Sequence, residues 1–271
     1  VTRRQIHADG VQLSRGLYLS SAVEPDLAER CSAWAKVLPA DAAFGFRTAA
    51  VLHEASDSES TTVHAVMRPR RVLPQRPGLT VHVRRLHDED VVQHHGLRVT
   101  SGAQTFLDLA ALLPAPDLLV LGDRLMGAGR LHPDDLARRL VRADRVRGVV
   151  RARRWAPHLD GRAASPRESL MRYWLLDSDL PEPALQLPIV DRWGRQVAHA
   201  DLGYPRWKVA LEYEGRQHAD SEQFTRDIDR YSLMAADDWL VLRFAARHGR
   251  SAIVDRTRRA LVHRGWTPEA S

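Results

Sequence analysis

Residues 184–214 pass through three β-type runs separated only by turns, and this constrains the second half of the chain more than any other feature. The runs cover 184–190, 196–202 and 207–214, with turns at Asp191–Gly194 and at Gly203–Arg206, which contains Pro205. Strands joined so tightly pair as hairpins, because a parallel pair needs a long crossover. A helix is predicted before them, from Pro166 to Ser178. After them the pattern predicts a helix from Gln223 to Ala236, a strand at 239–244 (WLVLRF) and a last helix from Ser251 to His263. The order α-β-β-β-α-β-α predicts a small α/β domain.

The first half reads as α+β. The run VQLSRGLYLSS bends at Gly16, and a helix starts near Pro25 and Asp26 and ends at Pro39. A second helix is predicted from Phe46 to His53, followed by strands in TTVHAVM, LTVHVRRL and GLRVT. Helices around Ala103–Leu113, Pro116–Ala128 and from Pro133 to Val141 complete it. Residues 143–166 are arginine-rich with glycines and prolines near the end, which puts the expected boundary there: an α+β domain over 1–155 and a second domain over 156–271.

With 44% hydrophobic and 27% charged residues, the composition excludes wholesale disorder. No apolar run is long enough to span a bilayer, since LLVLG at 118–122 is bounded by Asp117 and Asp123. The N-terminal stretch has no apolar signal segment, and Cys31, the single cysteine, rules out an internal disulfide and fits a reducing compartment, so a cytoplasmic protein is expected. The net charge of +6, carried almost entirely by arginine on the basic side, permits nucleic-acid binding.

Chemistry is expected where the second and third runs meet. Glu212 and Glu214 lie two apart on one strand and share a face, and a hairpin register can bring Asp201 beside them. Three carboxylates among apolar neighbours call for a cation, and oxygen ligands suit Mg²⁺, with Mn²⁺ as an alternative. The competing explanation is an edge strand whose glutamates face solvent. Glu168 completes a Ser-Pro-Arg-Glu capping box, which accounts for it without a site role. For Asp227 and Arg230, an ion pair along the helix competes with a phosphate contact by Arg226 and Arg230.

The segment 165–244 resembles the family related to the very short patch repair endonuclease, within the PD-(D/E)XK or restriction-endonuclease-like superfamily. The residues that carry the likeness are Glu168, Asp201, Glu212, Glu214, Gly215, His218, Asp227 with Arg230, and DWLVLRF at 238–244. The resemblance implies a mixed sheet flanked by helices and a metal-dependent phosphodiesterase. It adds Glu168 to the site and gives His218 a proton-transfer or phosphate-contact role. Two departures stand out: Glu214 replaces the family's usual aspartate, and no lysine occupies the E-x-K position, Lys208 lying four residues before Glu212.

The first half resembles the linking region of actinobacterial homologues of the abortive-infection type IV antitoxin family, through SRGLYLSS at 14–21, RTAAVLHEA at 47–55 and TSGAQTFLDLAALLPAPDLLVLGDRLMGAG at 100–129. In such proteins a winged-helix DNA-binding module comes first, and residues 5–20 correspond only to its last strand. Arg151, Arg153 and Arg154 belong to an arginine cluster that either tracks a phosphate backbone or forms a solvated helix face. His82, His87, His94 and His95 fit no compact zinc motif and are expected as scattered surface histidines.

The leading expectation is a DNA endonuclease with Asp201, Glu212 and Glu214 as ligands, assisted by His218. The alternative is a non-catalytic DNA-binding transcriptional regulator of antitoxin type that retains the nuclease fold. DNA is the expected partner, with a toxin-system protein as a second and no membrane.

Overall fold

The computed structural model describes residues 10–20, 25–58, 60–214 and 221–268, and it leaves out the side chains of 221–227 and 229. The chain forms two compact units, residues 1–161 and 162–271. Residues 156–161, expected in the second domain, belong to the first for a packing reason. A Cβ on Gly122 would lie 2.4 Å from a Leu159 methyl, so Leu159 seats directly on that glycine. The Asp160 N–H donates to Asp123 Oδ1 at 2.8 Å.

Unit 1 opens with the hairpin of β1 (Gly10–Ser14) and β2 (Leu17–Ser20), which turns at Gly16 (φ +75°). Helix α1 (Leu27–Ala35) starts at an Asp26 cap that accepts the Glu29 N–H, and it buries Leu27, Cys31 and Trp34. Burial pushes the Cys31 thiol up to about 12, so it stays a protonated core residue. The central sheet runs in the order β5-β4-β3-β7-β6, with β3 (Ala43–Phe44), β4 (Val63–Met67), β5 (Leu79–Val83), β6 (Val91–His94) and β7 (Leu97–Thr100). Helix α2 (Phe46–Leu52) links β3 to β4.

The sequence pattern misses two of these strands. β3 is too short to show alternation, and β6 joins β7 through His95 and Gly96, both left-handed (φ 48° and 77°), in a two-residue hairpin turn that a histidine does not advertise. Helices α3 (Gly102–Ala110), α4 (Ala115–Gly127), α5 (Pro133–Val141) and α6 (Val149–Trp155) follow. Leu107, Leu118, Leu125, Leu136 and Ala152 knit them into one core with Phe106.

α6 lies where the sequence reads as a boundary segment. Its arginines hide an apolar stripe, because Val149, Ala152 and Trp155 recur at helical spacing and are buried. Gly148 starts it with φ +88°, and a Cβ there would come within 2.5 Å of the Ala111 backbone nitrogen.

Unit 2 is the expected α/β arrangement. Its sheet has the order β11-β10-β9-β8, from β8 (Ala184–Val190), β9 (Gln196–Tyr204), β10 (Val209–Glu214) and β11 (Leu240–Ala245). β8, β9 and β10 pair antiparallel in sequence order, and β11 joins β10 in parallel after the α8 crossover, so the sheet is mixed. Helices α7 (Pro166–Leu176) and α9 (Arg250–His263) share a core with Leu202, Val209, Leu211 and Phe244. Met234 of α8 (Ser221–Ala236) belongs to a second cluster with Leu187, Ile189, Ala198 and Ala210.

β8 alternates in burial along its length, but its backbone turns left-handed at Gln186, whose φ is 52°. Leu185 enters the first cluster, whereas Leu187 and Ile189 enter the second. A left-handed residue inside a strand reorients the side chains on either side of it, and here it aims Gln186 at α7. Trp239 is buried, whereas Trp193 is 72% exposed at the β8–β9 turn. It lies between the guanidinium groups of Arg192 and Arg195, at 5.3 and 5.5 Å from its ring centroid.

Candidate functional site

The β9–β10 ladder ends at the pair Leu211–Leu202. Beyond it Asp201 takes over: its Oδ2 accepts the Tyr213 backbone N–H at 2.6 Å. The side chain thus crosses to β10 beside Glu212. Burial is the main cause raising the Asp201 carboxyl above the usual carboxylate range, and the Glu212 charge adds to it.

Glu168 takes part in the expected helix cap. Its backbone N–H donates to Ser165 Oγ at 3.2 Å as the helix cap, while its carboxylate accepts from the Ala164 N–H at 3.0 Å and from Ser165 Oγ at 2.9 Å. Gln186 Nε2 donates to the same carboxylate at 2.9 Å. The group is buried, which raises its pKa, and the Asp201 charge raises it further. The capping helix therefore carries Glu168 into the neighbourhood of Asp201.

Glu212 is only 5% exposed. Its Oε2 accepts from Arg230 at 3.1 Å and from the Tyr231 hydroxyl, both on α8. Oε1 is buried and has no hydrogen-bond partner among the described residues. Burial raises this carboxyl despite Tyr231, Arg230 and Arg243. Arg230 thus reaches across to β10, while its expected pair with Asp227 involves a side chain outside the described residues. The Tyr231 ring sits under the guanidinium groups of Arg230 and Arg243, at 4.8 and 4.7 Å.

Glu214 does not join this group. It pairs with Arg243 of the neighbouring parallel strand in a more exposed position. Lys208 is a turn lysine, with φ 50°, whose Nζ donates to the Asp237 carbonyl at 2.9 Å. His218 and Gly215 lie outside the described residues, as do the side chains of Arg226 and Asp227. Among the described residues, no three His, Cys, Asp or Glu side chains form a group able to hold a metal ion.

Gln186, Tyr231 and Arg243 are contributors that sequence reasoning passes over. Gln186 alone leaves a trace, as an amide inside the apolar run ALQLPIV.

In unit 1 the arginines near the expected boundary have structural work. Arg151 donates to the Ala110 carbonyl at 3.0 Å and Arg153 to those of Leu140 and Ala143 at 2.9 and 3.0 Å, so both cap the C-terminal ends of helices. Arg154 lies over the Trp155 ring at 5.2 Å. The histidines are not all on the surface: His94 is buried, and His82 shares a 2.9 Å hydrogen bond with His64.

Two proteins of Mycobacterium tuberculosis, from two strains and both named only as uncharacterized, are 30% identical to the chain over 233 residues, covering 86% of it and 84% of each of them. Residues 41–156 match the family model described as the AbiEi antitoxin C-terminal domain. The chain belongs to the family of these two proteins and carries an AbiEi antitoxin C-terminal domain. The AbiEi domain starts just before β3 and ends just after α6, so it takes in the whole central sheet of unit 1 and the helices α2 to α6. The helix-capping arginines Arg151 and Arg153 therefore belong to it, and the carboxylate group of unit 2 lies outside it.

Proposed function

We propose that the protein is a DNA-binding regulator of antitoxin type, which acts with a protein partner from a toxin system and whose second unit keeps a nuclease-like fold without cutting. The AbiEi antitoxin domain over residues 41–156 carries this reading. The state of the carboxylates supports it, because Glu212 is held by Arg230 and Tyr231 and Glu214 by Arg243. The excess of arginine supplies the electrostatic attraction for a phosphate backbone. Fluorescence anisotropy of labelled duplex DNA across a salt series tests it. Binding that weakens steeply with salt and is unchanged in Asp201→Ala is expected, and no binding at low salt would overturn it.

A second reading, phosphodiester hydrolysis, is favoured by one observation. Glu212 Oε1 is buried without a hydrogen-bond partner among the described residues, close to Asp201. A carboxylate oxygen left in that state is costly unless something else engages it. This reading predicts divalent-ion-dependent cleavage that disappears in Asp201→Ala.

A further inference from the structure

Unit 2 holds one large aromatic side chain out in solvent, Trp193 at the β8–β9 turn, and the turn is built without its indole. The buried Asp191 carboxylate accepts the backbone N–H groups of Trp193 and Arg195, both at 2.9 Å. The Gly194 N–H donates to the Asp191 carbonyl at 3.0 Å, and Gly194 supplies the left-handed position, with φ 81°. A polar residue at position 193 would serve this turn equally well, whereas an indole leaves apolar surface in water.

The turn is also anchored. Arg192 donates from Nε to Asp237 Oδ1 at 3.3 Å and from Nη2 to the Ala236 carbonyl at 3.2 Å, at the C-terminal end of α8. Arg195 donates from Nε to Asp191 Oδ2 at 3.0 Å. These pairs do not cancel the charge that a ligand meets, because the two signs lie at different depths. The side chains of Asp191 and Asp237 are 3% and 10% exposed, and those of Arg195 and Arg192 are 74% and 63% exposed. A guanidinium has five N–H donors, and among the described residues both Nη groups of Arg195 and Nη1 of Arg192 make no hydrogen bond. Lys208 brings a third cation, with its Nζ on the Asp237 carbonyl at 2.9 Å.

The guanidinium groups of Arg192 and Arg195 flank the Trp193 ring, which stays open to solvent between them. An exposed aromatic plane beside outward-facing cations matches a nucleotide, whose base offers a π-face and whose phosphate offers oxygens. In a paired duplex the bases are already stacked on one another, so a single projecting ring suits a base that has left the stack. We propose, on the strength of the DNA-binding reading, that Trp193 stacks on an unpaired base of DNA while Arg192 and Arg195 hold the adjoining phosphates. The site lies in unit 2, outside the AbiEi domain.

Fluorescence anisotropy of the full chain with two labelled DNAs tests this: a fully paired duplex, and the same duplex carrying a short single-stranded gap. The parent is expected to bind the gapped DNA about tenfold more tightly, the usual effect of one base stacked on an aromatic side chain. Trp193→Ala should abolish that preference and leave binding of the paired duplex unchanged, and Trp193→Phe should restore part of it. Both should melt near the parent's Tm, because the indole is exposed. Arg195→Gln should lower the salt slope on the gapped DNA by about 0.7, the share of one phosphate on a single strand. The proposal is overturned if the parent binds both DNAs equally, if the preference survives in folded Trp193→Ala, or if the salt slope is unchanged in Arg195→Gln. Paired-duplex binding that persists in those cases leaves the DNA-binding reading standing, whereas binding of neither DNA overturns both. Displacement of the gapped DNA by polyglutamate as readily as by unlabelled oligothymidine would assign the turn to acidic polypeptides and overturn the proposal too.

Discussion

Gln186 donates its side-chain amide to Glu168 Oε2 at 2.9 Å from a backbone in the left-handed region, with φ 52°. The strand interruption and the buried carboxylate on α7 are thus one device, in which an unfavourable backbone at β8 holds Glu168 in place beside Asp201. Removing the side chain while keeping a Cβ loses the hydrogen bond and retains the strain, whereas glycine loses the bond but relieves the strain. Gln186→Gly is therefore expected to be about 1 kcal/mol more stable than Gln186→Ala in urea denaturation. An alanine variant as stable as the glycine one would show that the strain is absent.

Asp201, Glu168 and Glu212 all have pKa values raised mainly by burial. A carboxyl whose folded pKa is raised stabilises the fold fully below its unfolded pKa, about 4, and that contribution is lost as pH rises through the folded value. Asp201→Asn removes a charge from the group and keeps an acceptor for the Tyr213 N–H. It should melt higher than the parent at pH 7.5, with the difference shrinking toward pH 4. A lower Tm at pH 7.5 would mean that the charge is needed by an attractive partner.

The histidine pair in the other unit has the opposite sign. One hydrogen joins His64 Nδ1 to His82 Nε2 at 2.9 Å, and the His82 ring stacks on Phe46 with centroids 3.6 Å apart. Burial first, then His64 and Arg84, bring His82 down to about 4. A depressed histidine contributes its stability above the unfolded value of 6.5, and that contribution is lost as pH falls from 6.5 toward 4. His82→Phe should flatten the loss of Tm across that window, and a pH profile identical to the parent's would contradict it.

Much of unit 2 is legible in the sequence because its strands are long enough to alternate and its turns short enough to force pairing. That logic places Asp201 and Glu212 together, and the capping box marks Glu168. What holds them was not legible. Tyr231 and Arg243 come from later elements, and the pairing of Arg230 with Glu212 depends on how α8 lies on the sheet. The left-handed backbone of Gln186, which aims its amide at Glu168, has no signature in the sequence. In unit 1, TSGAQTFLDLAALLPAPDLLVLGDRLMGAG gives α3 and α4 and carries the antitoxin likeness, which the AbiEi match bears out. α6 escaped because arginines that cap other helices look from the sequence like a linker.

The central claim is that this protein holds DNA without cutting it. The most direct measurement incubates supercoiled plasmid with the full chain in Mg²⁺ and in Mn²⁺, with Asp201→Ala in parallel, and reads band retardation and nicking from the same samples. Retarded, intact plasmid with both proteins is the predicted result. Nicked or linear plasmid that appears only with a divalent ion and only with Asp201 present would contradict the account.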